Sequence, residues 1–231
     1  MIKTIKRLSI TRALIMGAFG WCSAVPAFAA DHDFQSWTSA NVTVDVGKRF
    51  AATMAGHLRL SDNASRAGQI LLRPSIGYKL DSTTMLSLGY AYVFTDPVGP
   101  AQTDEHRLWQ QISFRLAGDG KGFTVTGRAR MEERWIEGRN GTGWRFRSQI
   151  RATAPVSGKV RIFAHSEPFI ALNDTNWGQR SGLDRWRNAA GISVPVTKSI
   201  TIEPAYLNQW VVVRGRDRDH HIANVTLVGR F

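Results

Sequence analysis

Cysteine is almost missing from this chain: its 231 residues include one, Cys22, so no internal disulfide can staple the fold. Long apolar runs are missing too. The longest is ALIMGAFGWCSAV, about 13 residues, where a membrane-spanning helix needs roughly 20. No segment after residue 30 sustains an apolar period of 3.6, which excludes a helical bundle. Acidic side chains are absent from the first thirty positions, which carry Lys3, Lys6, Arg7 and Arg12.

What those thirty positions do contain reads as an export signal. MIKTIKRLSITR is a basic n-region, the apolar run is an h-region, and Ala27-Phe28-Ala29 is a small-x-small cleavage site, so residues 1–30 are expected to be a cleaved secretory signal peptide and 31–231 a single barrel domain. Cys22 lacks the flanking residues of a lipidation site, and cleavage removes it. The loss of four cations takes the net charge of +12 down to 26 basic against 18 acidic residues, and 21 of those 26 are Arg. Arginine is favoured where charges are confined, because its planar fork pairs bidentately and is weakly hydrated. A GC-rich genome would enrich arginine as well.

Beyond the leader the chain alternates. In GFTVTGRARMEERW, Thr124, Thr126, Arg128, Arg130, Glu132 and Arg134 share one face, and Phe123, Val125, Ala129, Met131 and Trp135 the other, the period of a β-strand. Turn signals fall every 16 to 20 residues. The strands they bound are Phe34–Val46, 50–60, 69–80, 85–95, 105–117, 123–136, 144–154, 160–172, 183–194, 200–212 and 221–231, most of them 11 to 14 residues long. Ordinary strands cluster near 5 or 6, whereas a tilted membrane crossing takes about 9 to 11. Connections alternate short (near 47, 82, 119, 158 and 198) and long (61–68, 96–104, 137–143, 173–182 and 213–220), as in a transmembrane barrel with short periplasmic turns and longer extracellular loops. The expected fold is therefore an all-β, antiparallel transmembrane barrel of 10 to 12 strands. Eleven segments are counted, yet bacterial single-chain barrels have an even number with both ends periplasmic. The expectation is ten strands, with residues 31–46 outside the wall, or twelve.

A soluble carrier barrel with an apolar pocket would alternate in the same way, so the direction of the charged face has to be argued. The chain ends in an alternating strand closing on Phe231, which resembles the signal read by the outer-membrane assembly machinery. Trp37, Tyr78, Phe94, Trp135, Trp144, Phe169, Trp186 and Trp210 fall near strand ends, where aromatic girdles sit. The apolar faces carry small residues such as Ala129, Ala152 and Ala190, poor filling for a core. Charged-inside follows, and with it a location in the outer membrane. The lumen is then expected to hold Arg107, Arg128, Arg130, Glu132, Arg145, Arg147, Arg161, His165, Glu167, Arg185, Arg187 and Glu203, together with Gln111, Arg115, Arg134, Gln149 and Arg151. A symmetric hairpin about Asn140 puts Glu132 opposite Arg147, and one register of the next hairpin puts Glu167 beside the same arginine, a Glu-Arg-Glu ladder.

The segments Asp33-Phe34-Gln35-Ser36-Trp37, Glu105-His106-Arg107-Leu108-Trp109-Gln110-Gln111, Arg130-Met131-Glu132-Glu133-Arg134, Arg145-Phe146-Arg147, Ser166-Glu167-Pro168-Phe169 and Asp184-Arg185-Trp186-Arg187, with Gln209, resemble domain of unknown function family 2490 across essentially the whole mature chain. The resemblance implies an outer-membrane protein of Gram-negative bacteria and supplies neither a reaction nor a catalytic residue.

Several functions remain to be weighed. A barrel only modestly wider than the eight-stranded kind, lined by long arginines, is expected to be a narrow anion-favouring channel or a structural envelope protein. The alternative is a barrel enzyme acting on lipid or peptide at the extracellular rim. His165 and Ser166 are adjacent on one strand and face opposite ways, so they cannot form a nucleophile and base in the lumen. Asp217, Asp219, His220 and His221 form the best acid-histidine cluster for a protease-like rim site, with Asp104, Glu105 and His106 second. Neither has a defined metal-ligand spacing, and no catalytic residue, metal or cofactor is assigned. Expected partners are outer-membrane lipid, lipopolysaccharide phosphates at Arg214-Gly215-Arg216-Asp217-Arg218, and the assembly machinery. The cations are split by strand alternation rather than gathered in a patch, so nucleic acid is not expected. The oligomeric state is not indicated.

Overall fold

The structure is a computed structural model that describes residues 31–99 and 101–231. The signal-peptide expectation falls on residues 1–30, outside the described residues. Among the described residues eleven strands follow one another: β1 (Asp31–Val46), β2 (Phe50–Ser61), β3 (Arg66–Lys79), β4 (Thr84–Thr95), β5 (Thr103–Ala117), β6 (Thr124–Ile136), β7 (Gly143–Ser157), β8 (Val160–Ala171), β9 (Gly182–Pro195), β10 (Ile200–Val211) and β11 (Arg218–Arg230). Each pairs antiparallel with its sequence neighbour, and β1 meets β11 to close the barrel. Closure gives every strand two partners, so no backbone edge is left for lipid.

The expectation of an even strand number does not hold. With eleven strands the first and last run the same way, and β1 lies parallel to β11 from Asp31↔Arg218 to Thr43↔Arg230. The segment that was a candidate for exclusion, 31–46, is a full wall strand, also paired with β2 from Ser36↔Leu60 to Val46↔Phe50. One consequence is that β1 begins at the rim of the longer loops, while β11 ends at the rim of the short turns.

Polar side chains shape those turns. Between β5 and β6 the Asp119 carboxylate accepts the Lys121 and Gly122 amides at 2.8 and 2.9 Å, and Gly118 takes a φ of 84° that a Cβ would resist. The loop expected over 61–68 is shorter than the sequence suggested. Ser61 pairs with Arg66 and Leu60 with Ala67, leaving a turn at 62–65 in which Asp62, Asn63 and Ala64 are all left-handed.

The outside is apolar. Met54, Leu72, Ile76, Leu88 and Ile150 are each about half exposed or more, and Leu58, Ile70, Leu86, Ile162, Ile192, Ile202, Val225 and Leu227 continue the belt around the wall. A contiguous surface of this kind is far larger than a soluble monomer carries, and it is the lipid-facing band of a transmembrane barrel. A water-soluble carrier would have the opposite arrangement, with its apolar residues inside.

Inside, the charged face is interrupted by two small apolar clusters. Trp37, Ala189, Leu207 and Ile222 are buried together on β1, β9, β10 and β11, and Leu71, Ala91 and Val93 on β3 and β4. Two aromatics expected in the girdles belong to the interior. Trp37 shares the face of Gln35 and Ser39, and Phe169 that of Glu167, and both are almost fully buried. Side-chain parity decides their direction, and nearness to a strand end does not.

Candidate functional site

The middle of the lumen is crossed by a network built on two carboxylates, Glu132 and Glu167. Glu132 on β6 is 1% exposed. Its Oε2 accepts Arg145 Nε at 2.9 Å and Nη2 at 2.6 Å, and its Oε1 accepts Arg147 Nη1 at 2.7 Å. Arg147 reaches the other way to Glu167 Oε1 on β8 through Nη2 at 2.8 Å, and Arg128 Nη2 shares that oxygen at 2.6 Å. The three residues expected to form a Glu-Arg-Glu ladder therefore touch, but through a different register. Glu132 lies directly opposite Arg145, and Arg147 opposite Arg130 and Phe169. Arg147 leans diagonally to Glu132, a step that a long guanidinium spans easily.

Toward the long-loop rim, Glu105 receives Arg107 Nε at 2.8 Å and Arg134 Nε at 2.6 Å. Arg145 Nη1 reaches Asp184 Oδ2 at 3.1 Å, and Arg185 Nε shares that oxygen at 3.0 Å. The loop 172–181 closes over this end. Its Gln179 is buried and accepts Arg134 Nη1 at 2.9 Å, and Trp177 lies 5.3 Å from the Arg134 guanidinium. The same loop is pinned by Asp174, whose carboxyl is held below its ordinary range by the Ser181 amide and hydroxyl and by Arg180.

Toward the short turns the lumen is more open. Arg151 Nη2 pairs with Glu203 Oε1 at 2.7 Å, and Arg161 donates to the Lys121 and Gly122 carbonyls at 2.8 and 2.7 Å. His165 stacks on Phe163 at 6.3 Å. Ser166, its sequence neighbour, accepts Trp186 Nε1 at 2.7 Å on the outer wall, so the two face opposite sides.

Aromatic faces carry much of the arginine. Phe169 lies under Arg147 at 4.2 Å and Arg187 at 4.7 Å, with Arg145 at 5.3 Å. Trp109 lies under Arg130 at 3.9 Å. Trp37 is held between Arg59 at 3.9 Å and Arg187 at 4.9 Å. Such contacts gain strength where water is thin, and they let a lumen richer in arginine than in carboxylate stay filled. Gly89 makes room for one of them, because a Cβ at that position would run into the Trp109 ring. Gly89→Val is therefore expected to displace Trp109 and the Arg130 stacked on it, costing about 1 to 3 kcal/mol as overpacking does. A lowered urea midpoint for the refolded barrel in detergent would show it, and an unchanged midpoint would refute the tight fit.

Sequence reading missed part of the site. Arg59, Arg73, His57, Trp109 and Asp184 were not assigned to the lumen, and Glu105 was placed in a rim cluster with Asp104 and His106. In the structure that cluster is divided by the wall. Glu105 turns inward, while Asp104 accepts Tyr92 and His106 meets Tyr90. The other rim cluster divides in the same way, since His220 meets Gln209 at 3.1 Å and His221 meets Tyr206 at 2.6 Å on the opposite side. Neither cluster assembles a nucleophile, base and orienter. No group of three or more metal-ligating side chains occurs among the described residues.

A family model described as "Protein of unknown function (DUF2490)" matches residues 34–220. The chain belongs to that family. The segments that carry the family resemblance are also those that build the network: Trp37, Glu105, Arg107, Trp109, Glu132, Arg145, Arg147, Glu167, Phe169 and Arg187 all lie in them, and Gln209 accepts Arg187 Nε at 2.8 Å. An uncharacterized protein of Methylorubrum extorquens is 32% identical over 232 residues, covering 97% of this chain and 98% of its own length. Among solved structures, the NanC porin aligns with a TM-score of 0.49 at 13% identity, over 80% of this chain and 92% of its own. An anion-selective porin from Comamonas acidovorans aligns with a TM-score of 0.39 at 13% identity, over 81% and 56%.

Proposed function

We propose that this DUF2490 barrel lies in the outer membrane and forms a narrow channel that favours anions. The supporting observation is the charge balance at its waist. Every carboxylate there is already shared between two or more guanidiniums, and Arg59, Arg73 and Arg187 belong to no ion pair among the described residues. The uncompensated field is positive and lies in a low-dielectric tube, where it attracts anions and repels cations. The narrowness follows from the side chains: Glu132, Arg145, Arg147 and Glu167 are almost completely buried, so only a thin path is left past them.

The same burial favours a second reading, a structural envelope protein whose waist is sealed. Planar-bilayer recording separates the two. The channel reading expects small unitary currents with a reversal potential on the chloride side under a salt gradient, and a preference that fades as salt screens the lumen charges. Complete absence of current from heat-modifiable, folded protein would favour the sealed barrel instead. The basic loop at Arg214, Arg216 and Arg218 suits lipopolysaccharide phosphates, and the terminal Phe231 suits recognition by the assembly machinery. Both are part of this proposal. A rim enzyme lacks the supporting geometry, because neither acid-histidine cluster stays on one side of the wall.

A further inference from the structure

The lumen arginines fall into two groups. Arg128 on β6 and Arg145 and Arg147 on β7 are matched by Glu132 and Glu167. Those facing them from β2, β3 and β9 form no ion pair among the described residues: Arg59 pairs in the ladder with Gln69 and Arg73 with Ala55, and Arg187 stands opposite Glu167, whose oxygen is already taken by Arg128 and Arg147. Arg59 donates Nη1 to Gln69 Oε1 at 2.6 Å, and Arg187 donates Nε to Gln209 Oε1 at 2.8 Å. Arg73 Nη2 meets His57 Nε2, a contact that requires a neutral imidazole accepting from the guanidinium. These partners are all uncharged. The Nε atoms of Arg59 and Arg73 are buried and make no hydrogen bond at all.

The group is held together. Arg59 and Arg187 flank the same Trp37 ring, and Arg73 reaches across from β3 to His57, two residues from Arg59 on the same face of β2. Like charges gathered in a partly desolvated space are costly unless a counter-charge joins them. The carboxylate opposite Arg187, Glu167, is already shared by Arg128 and Arg147. Arg59 and Arg73 are only half-buried, so the ends of their forks open to the lumen with donors left over: Arg59 Nη2 and Arg73 Nη1 take part in no hydrogen bond among the described residues.

We propose that Arg59, Arg73 and Arg187 form a binding subsite for one oxyanion, a carboxylate or phosphate group, in the lumen. This deepens the channel reading by naming the class of anion it would select, and it rests on that reading only for transport. The planar fork of arginine matches two oxygens of such a group. Chloride, a sphere, gains less from that geometry. The Trp37 faces are occupied by Arg59 and Arg187, so the subsite recognises the anionic group and leaves the remainder of the ligand in the lumen.

The test is calorimetric titration of the refolded full chain in detergent with inorganic phosphate and, separately, with acetate, alongside bilayer recording in the same anions. One saturable site is expected, weakened about tenfold or more in Arg59→Gln and in Arg73→Gln, as loss of a charge-assisted bidentate contact implies. Arg180→Gln, in an outer loop, should bind as the unaltered chain does. The tighter of the two arms identifies the class, phosphate or carboxylate. Folding of each variant is read from heat-modifiable gel mobility. Should the glutamine variants fail to fold, Arg73→Lys keeps the charge without the fork and is expected to lose several-fold in affinity. Binding unchanged in folded variants, or no saturable binding of either anion, overturns the subsite even if the barrel conducts. Saturable binding without current would keep the subsite and remove the channel.

Discussion

Replacing Glu132 by alanine is expected to destabilise the barrel by about 3 to 5 kcal/mol, the cost of stripping a buried ion pair of one partner. Glu132 is 1% exposed and accepts from Arg145 and Arg147 at once. Its removal leaves Arg145 with Asp184 alone, and Arg147 with Glu167 alone. Glu167 already serves Arg128 and has little capacity to spare. The stacking of both guanidiniums on Phe169 survives the substitution but does not satisfy their donors. The urea midpoint of refolding into detergent or lipid should drop accordingly. Glu132→Gln, which keeps the acceptor oxygen and the volume but not the charge, should fall between. In bilayers Glu132→Ala should also move the reversal potential further toward the anion, because the waist loses a negative charge. A midpoint within about 0.5 kcal/mol of the unaltered chain, the range of an inconsequential surface change, would mean that the network is hydrated and contributes little.

How far this site can be read from sequence depends on which geometric step each residue requires. Period-2 alternation fixes the face of a side chain, and it placed Arg128, Arg130, Glu132, Arg145, Arg147 and Glu167 together without any knowledge of pairing. It could have placed Phe169 as well, two residues from Glu167, and Trp37, two from Gln35. Both were assigned to the girdle because they lie near strand ends, when parity was the stronger signal. Register is less legible. The hairpin between β6 and β7 turns over 137–142 and pairs Arg134 with Gly143, a shift of two residues from symmetry about Asn140, enough to exchange Arg145 for Arg147 opposite Glu132. Arg59 and Arg73 show a third limit. Their inward direction follows from parity with His57 and Gln69. That Arg59 shares Trp37 with Arg187, far away on β9, depends on where the barrel closes. The rule of even strand number obscured that closure, because it left β1 without a settled place.

The closure can be locked chemically. Ser39 on β1 and Thr226 on β11 are direct partners in the parallel seam, and their hydroxyls are 2.8 Å apart across 187 residues of sequence. The double variant Ser39→Cys, Thr226→Cys is therefore expected to form a disulfide on mild oxidation. Neighbouring strands lie about 4.7 to 4.9 Å apart, inside the range a disulfide spans, and the chain's single cysteine, Cys22, precedes the described residues. A cross-link enclosing so long a loop should stabilise the folded barrel by about 5 kcal/mol on the chain-entropy account, seen as a raised urea midpoint that returns to normal with reductant. The cross-link would also discriminate between architectures. In a ten-stranded barrel, β2 and β11 run antiparallel and could close directly, with β1 displaced from the wall. That arrangement would separate residue 39 from residue 226 and leave the thiols free. A folded, heat-modifiable double variant that resists oxidation would thus exclude the parallel seam and return residues 31–46 to the outside of the wall. It would also remove Trp37 from between Arg59 and Arg187, so the seam and the anion subsite share this structural requirement.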